Sequence, residues 1–176
     1  DNSGEYSLTV LKDLSDGSYH IFTEDDAGNK SQIENEQIFI IDRTKPILSE
    51  ISLIENTDTG ISSEDQLTKN VTPTVKFVSE FGLTVVVTED PNGSSKSLEF
   101  GSDYSVLAPA LDENASQQLG SVQNGEYFIF FIKELNNLDY TISVIDDAGN
   151  VNENSFTTGR ADTFTIDTIA PEFTSG

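Results

Sequence analysis

The chain contains no cysteine, no methionine and no tryptophan, a single histidine, and only 9 lysines and arginines against 31 aspartates and glutamates. Each scarcity excludes something. Without cysteine there is no disulfide framework, no thiolate metal site and no thiol nucleophile. With His20 as the lone histidine, Ser/His/Asp and Cys/His arrangements have almost nothing to be built from. No glycine-rich phosphate loop occurs. A carboxylate pair of the glycosidase kind finds no support beyond chance among so many acids. The expectation is a protein that is not an enzyme.

Basic residues are too few for a nucleic-acid footprint. A net charge of −22 also opposes an anionic membrane surface. No apolar run approaches the roughly 18 residues of a membrane-spanning helix, so membrane insertion is not expected. No secretory signal is recognisable. With no methionine, the sequence reads as an internal stretch of a longer chain. Self-repulsion on this scale destabilises a compact state unless cations relieve it. Solubility or adaptation to salt is the competing reading of the same charge.

What is present is an internal repeat. Residues 4–29 read GEYSLTVLKDLSDGSYHIFTEDDAGN, and residues 125–150 read GEYFIFFIKELNNLDYTISVIDDAGN. They align without a gap at an offset of 121 residues. Four residues further apart, Phe39-Ile40-Ile41-Asp42-Arg43-Thr44-Lys45-Pro46 matches Phe164-Thr165-Ile166-Asp167-Thr168-Ile169-Ala170-Pro171. A period of about 125 residues follows. Residues 1–46 are then the C-terminal part of one repeat, 47–171 a whole repeat, and 172–176 the start of another. The first segment cannot bury a complete core unless something supplies the remaining strands.

Within the whole repeat, short alternating or β-branched runs predict strands at 47–54, 74–78, 83–88, 126–132, 140–145 and 163–166. One or two edge strands are expected in 97–107. Pro91-Asn92-Gly93 has turn chemistry, and 111–122 is polar and loop-like. No window shows helical periodicity. About seven strands in about 125 residues is the pattern of an all-β, immunoglobulin-like antiparallel β-sandwich, here in tandem repeats. The run Tyr127-Phe128 and Phe130-Phe131 is expected in the core, and His20 on a wet strand face. Lys12 and Lys133 are expected in surface ion pairs with their neighbours Asp13 and Glu134.

The succession Asp16-Gly17-Ser18-Tyr19, Asp25-Asp26-Ala27-Gly28-Asn29 and Phe39-Ile40-Ile41-Asp42-Arg43-Thr44-Lys45-Pro46 resembles bacterial Ig-like (BIg-type) repeats of large surface adhesins. The stretch from Asp58-Thr59-Gly60 to Thr72-Pro73-Thr74 is similar to the loop joining the first two strands of giant adhesin repeats. The second copy departs from the pattern, with Asn137-Leu138-Asp139-Tyr140 in place of Asp-Gly-x-Tyr. The resemblance implies an extracellular spacer on a bacterial cell surface, whose first partners are neighbouring Ig-like repeats of the same chain. It also implies calcium at the junctions between repeats.

Oxygen-rich segments suit that ion, which takes 6–8 oxygen ligands. The candidates are Asp25, Asp26 and Asn29 in one turn, Asp42 in the linker, and Asp58 and Asp65 (with Asn56 and Glu64) in the following loop. Asp146, Asp147, Asn150 and Asp167 repeat the first two sets. Whether these segments form one site or separate ones stays open at this point. The Asp-x-Ala-Gly-Asn segment is equally good hairpin-turn chemistry with no ion. Two other functions fit the pattern. One is a module whose polar stretch 99–124 recognises a host receptor or glycan. The other is a filament subunit that exchanges strands between chains.

Overall fold

The computed structural model describes residues 7–30, 38–62, 65–89, 95–109, 124–152 and 163–172. The Pro91-Asn92-Gly93 turn, Glu64 and the whole 111–122 stretch lie outside the described residues. The chain divides into two units, 1–44 and 45–176. Among the described residues every regular element is a strand.

In the second unit the strands are β3 (Leu48–Leu53), β4 (Leu67–Thr68), β5 (Thr74–Glu80), β6 (Thr84–Glu89), β7 (Lys96–Ser97), β8 (Tyr104–Leu107), β9 (Asn124–Phe131), β10 (Asp139–Ile145), β11 (Val151–Asn152) and β12 (Thr163–Ile166). One sheet has the order β3-β5-β9-β8. The other runs β4-β12-β10-β6-β7, with β11 paired to β10. All pairs are antiparallel except β4 with β12. This is the two-sheet immunoglobulin-like sandwich, with the first strand split so that its second piece, β4, joins the opposite sheet beside the last strand.

Alternation explains the core. On β5, Val75 and Phe77 point inward, and on β10, Tyr140, Ile142 and Val144 do so. On β9 the inward set is Tyr127, Ile129 and Phe131. Phe128 and Phe130 of the aromatic run therefore fall on the outer face, with Phe130 41% exposed. The expectation of a wholly buried run fails because successive side chains of a strand point to opposite faces. Phe77 stacks on Tyr127 with ring centroids 5.0 Å apart, and Tyr140 on Phe164 at 5.2 Å.

Two short strands, β4 and β11, carry no alternation long enough to be read in sequence. The first depends on two irregularities. β3 carries a bulge between Ser49 and Ser52, where Glu50 adopts φ 53°. Gln66 also adopts a left-handed φ, 59°. Its amide mends the disturbed strand: Leu53 N–H donates to Gln66 Oε1 at 3.0 Å, and Gln66 Nε2 donates to the Ile51 carbonyl at 3.1 Å.

The first unit contributes β1 (Gly17–His20) and β2 (Ile38–Ile41), paired antiparallel. Their register pairs Tyr19 with Phe39, and β10–β12 pairs Tyr140 with Phe164. The Tyr19 and Phe39 rings stack at 5.3 Å with a 17° interplanar angle, against 5.2 Å and 17° for Tyr140 and Phe164. Each tyrosine also closes the same corner. Tyr19 donates its hydroxyl to the Ser15 carbonyl at 2.6 Å, and Tyr140 to the Asn136 carbonyl at 3.2 Å. Asn136 N–H returns a bond to the Tyr140 hydroxyl at 2.8 Å. Such a tyrosine corner is a mark of immunoglobulin-type sandwiches.

The departure at Asn137 keeps the job of its counterpart. Asp16 accepts the Arg43 amide at 3.1 Å and holds its guanidinium at 2.9 Å. Asn137 Oδ1 accepts from the Thr168 amide at 3.3 Å and from its hydroxyl at 2.8 Å. Both hold the chain where it leaves the last strand.

The surroundings of the two pairs differ. β10 lies between β6 and β12 and under the other sheet. The described residues of the first unit include no second sheet, and the counterparts of core residues are exposed: Leu8 69% where Ile129 is 0%. Residues 7–11 form no strand, as expected where no neighbouring strand satisfies their backbone. His20 is exposed, as its place in the alternation implied.

Candidate cation-binding loops

The two Asp-Asp-Ala-Gly-Asn turns are built alike. Asp25 Oδ1 accepts the amides of Ala27 (2.9 Å) and Asn29 (2.8 Å), while Asn29 Nδ2 donates to Oδ2 at 2.8 Å. Asp146 Oδ1 accepts the Asn150 amide at 2.8 Å, and Asn150 Nδ2 donates to Oδ2 at 2.9 Å. Backbone bonds Gly28 N–H to Asp25 carbonyl (2.9 Å) and Gly149 N–H to Asp146 carbonyl (3.0 Å) complete each turn. The glycines sit at φ 85° and 87°, a region other residues enter at a cost. The Asn29 side chain, then its backbone amide, hold the Asp25 carboxyl below its ordinary range, and Asn150 does the same for Asp146. Both carboxylates are thus engaged by the turn itself. Asp26 and Asp147 sit exposed at the tips.

Asp42 and Asp167 play matching parts at the strand exits. Asp42 Oδ1 accepts the Thr44 amide at 2.9 Å, and Asp167 Oδ1 the Ile169 amide at 2.9 Å. One oxygen of each has this local duty, and both side chains are exposed.

The loop between β3 and β4 differs. It is tied together by threonines. Thr57 Oγ1 donates to the Ile54 carbonyl at 2.9 Å and accepts the Thr74 amide at 3.2 Å. Thr68, buried, donates its hydroxyl to the Thr57 carbonyl at 2.6 Å and accepts the Asn70 amide at 3.0 Å. Asp58, within this laced loop, is 8% exposed, with neither carboxylate oxygen hydrogen-bonded to any described residue. Burial raises its pKa, the nearby Asp65 carboxylate raises it further, and the Gly60 amide, outside hydrogen-bond geometry, offsets part of the rise.

Other oxygens gather in the same loop, around Gly60. A methyl group on Gly60 would lie 3.0 Å from the Leu67 carbonyl oxygen, 3.4 Å from the Ser62 carbonyl oxygen and 3.6 Å from Asp65 Oδ1. β4 is the edge of its sheet, and its ladder to β12 uses the carbonyls of Gln66 and Thr68. The Leu67 carbonyl therefore faces the loop. Asp65 Oδ1 is fixed there by the Leu67 amide, at 3.1 Å. Asn56, at the start of the loop, is exposed.

Among the described residues no three side chains of the His, Cys, Asp and Glu types come together as a metal site. An ion at this loop would be held by two carboxylates together with carbonyls and water, a set suited to a hard cation. Asp25, Asp42, Asp146 and Asp167 are each engaged locally and fit an ion less well than Asp58 does.

Lys133 lies 3.6 Å from Asp103, not beside Glu134 as its sequence neighbour suggested. Adjacent residues leaving a strand project in different directions. A groove of about 380 Å³ is lined by Leu83, Thr84, Val85, Phe100, Val106, Ala108 and Tyr127. Among the described residues it lacks the convergent polar groups that orient a sugar or other polar ligand.

No protein-family model matches the chain, and no curated protein matches it at a significant level.

Proposed function

We propose that this chain is a structural spacer, a stretch of Ig-like repeats from the stalk of a large bacterial surface adhesin, extracellular and stiffened by calcium at the junctions between repeats. One observation carries the reading. The described residues within 14–44 and within 135–169 share strand register, stacked rings, tyrosine corner and acidic turn. A unit that recurs in one chain with the same internal bonding is what a stack of modules requires. The family resemblance supplies the cell surface and the junction calcium. The acid excess supports the cation, since bound calcium cancels repulsion between neighbouring loops.

Limited proteolysis of the chain with CaCl2 and with chelator tests it. Cleavage between Asp42 and Leu48 should be faster in chelator. Equal rates at that segment in both conditions would remove the calcium-stiffened junction.

A second reading, a strand-exchanging filament subunit, is favoured by the exposed apolar residues of the first unit, among them Leu11 at 92% and Ile40 at 70%. Sedimentation equilibrium separates the two. A monomer at high concentration supports the spacer, and concentration-dependent dimers support exchange.

A further inference from the structure

We infer that Asp58, Ser62, Asp65 and Leu67, between β3 and β4, form a calcium site complete within one unit, through the two carboxylates and the Ser62 and Leu67 carbonyls, and needing no neighbouring repeat. The starting observation is the orphaned carboxylate. Asp58 is 8% exposed and neither oxygen meets a hydrogen-bond donor among the described residues. A covered anion without a partner is expensive to keep. The Asp65 carboxylate adds to the cost rather than offsetting it. The loop thus brings together two negative groups, with the Leu67 amide on Asp65 and no hydrogen bond on Asp58 among the described residues.

The second observation is geometric. The Leu67 and Ser62 carbonyls and Asp65 Oδ1 converge within 3.0–3.6 Å of one point beside Gly60, where a side chain would stand in any other residue. A cation seated between this point and the Asp58 carboxylate would take oxygen ligands from all of these groups. The site's third support is its rigidity. Thr57, Thr59 and Thr68 cross-link the loop, with Thr59 Oγ1 2.9 Å from Thr68 Oγ1, and the Gln66 side chain bolts its far end to β3. Two carboxylates and two carbonyls leave places for water in a shell of 6–8 oxygens, which places the affinity among weak extracellular sites, on the order of 0.1–1 mM. Magnesium, which demands a near-ideal octahedron and sheds water reluctantly, suits such a loop less well.

This inference deepens the calcium part of the spacer reading, and its test separates the two. Calorimetric titration of the chelator-treated full chain with CaCl2, and with MgCl2 as control, is compared among wild type, Asp58→Asn, Gly60→Ala and Asp42→Asn. Asp58→Asn should weaken or abolish one binding event by at least about tenfold. Gly60→Ala, whose methyl crowds the niche, should do the same with both carboxylates intact, while circular dichroism reports whether each variant is folded. Asp42→Asn should leave that event unchanged. Calcium binding that survives both loop variants but falls in Asp42→Asn would overturn the intra-unit site and keep the junction. No calcium binding in wild type would overturn both.

Discussion

Tyr140 stacks on Phe164 at 5.2 Å while its hydroxyl closes a corner with the backbone of Asn136, so one side chain joins the core of the sandwich to the turn that opens β10. The two halves of that role separate by substitution. Tyr140→Phe keeps the stack and loses the corner, at about 1 kcal/mol. Phe164→Ala leaves a cavity beside Phe131 and Tyr140, at about 3–5 kcal/mol. Urea denaturation of the two variants measures both. A Tyr140→Phe loss equal to that of Phe164→Ala would mean that the corner, not the stack, organises this end of the sandwich.

The acidic turns make a prediction about pH. Asp146 has its folded pKa held below 3.8 by Asn150. Its contribution is fully present above that unfolded value and is lost as pH falls through the lowered folded one. Asp146→Ala should melt at a lower temperature than wild type from neutral pH down to about 4. The gap should close in stronger acid. A gap that stays constant into strong acid would assign the loss to packing rather than to the carboxylate.

Asp58 has the opposite sign. Its folded pKa lies above 3.8, so between the two values the folded chain binds more protons than the unfolded one. Stability falls as pH rises through that window, and the loss is complete above the raised value. Asp58→Asn carries no charge at any pH. In chelator it should be more stable than wild type at neutral pH, with the difference shrinking as the pH approaches 4. Melting curves across that range check it. A less stable Asp58→Asn in chelator would mean that the carboxylate has a favourable partner.

Much of this fold was legible because strands with one buried face alternate. The runs at 74–78, 83–88, 140–145 and 163–166 became β5, β6, β10 and β12. The aromatic run at 127–131 misled because two interleaved sets of large side chains look alike in sequence, yet only Tyr127, Ile129 and Phe131 face inward. β4 was invisible: two residues placed by a left-handed Gln66 and by pairing with a strand about a hundred positions away leave no local signal. Among the candidate ligands, Asp25, Asp42, Asp58, Asp146 and Asp167 look interchangeable by residue type. The amides around each one distinguish them, and Asp58 alone of these is covered and unpartnered among the described residues.

The spacer reading is tested most directly by pulling on the chain. β4, near the start of the second unit, runs parallel to β12, near its end, and they are joined by Thr165 N–H to the Gln66 carbonyl (2.9 Å) and Asp167 N–H to the Thr68 carbonyl (2.9 Å). Tension applied at the two ends drags these strands in opposite directions and loads both bonds together in shear. In single-molecule stretching, the unit should resist and then release in one step as the chain from Leu48 to Ile166 is drawn out, roughly 40 nm at about 3.5 Å per residue. The Thr165→Pro variant, which removes one clamping N–H, should release at lower force. Gradual lengthening with no resisting step, unchanged by that substitution, would contradict a load-bearing module.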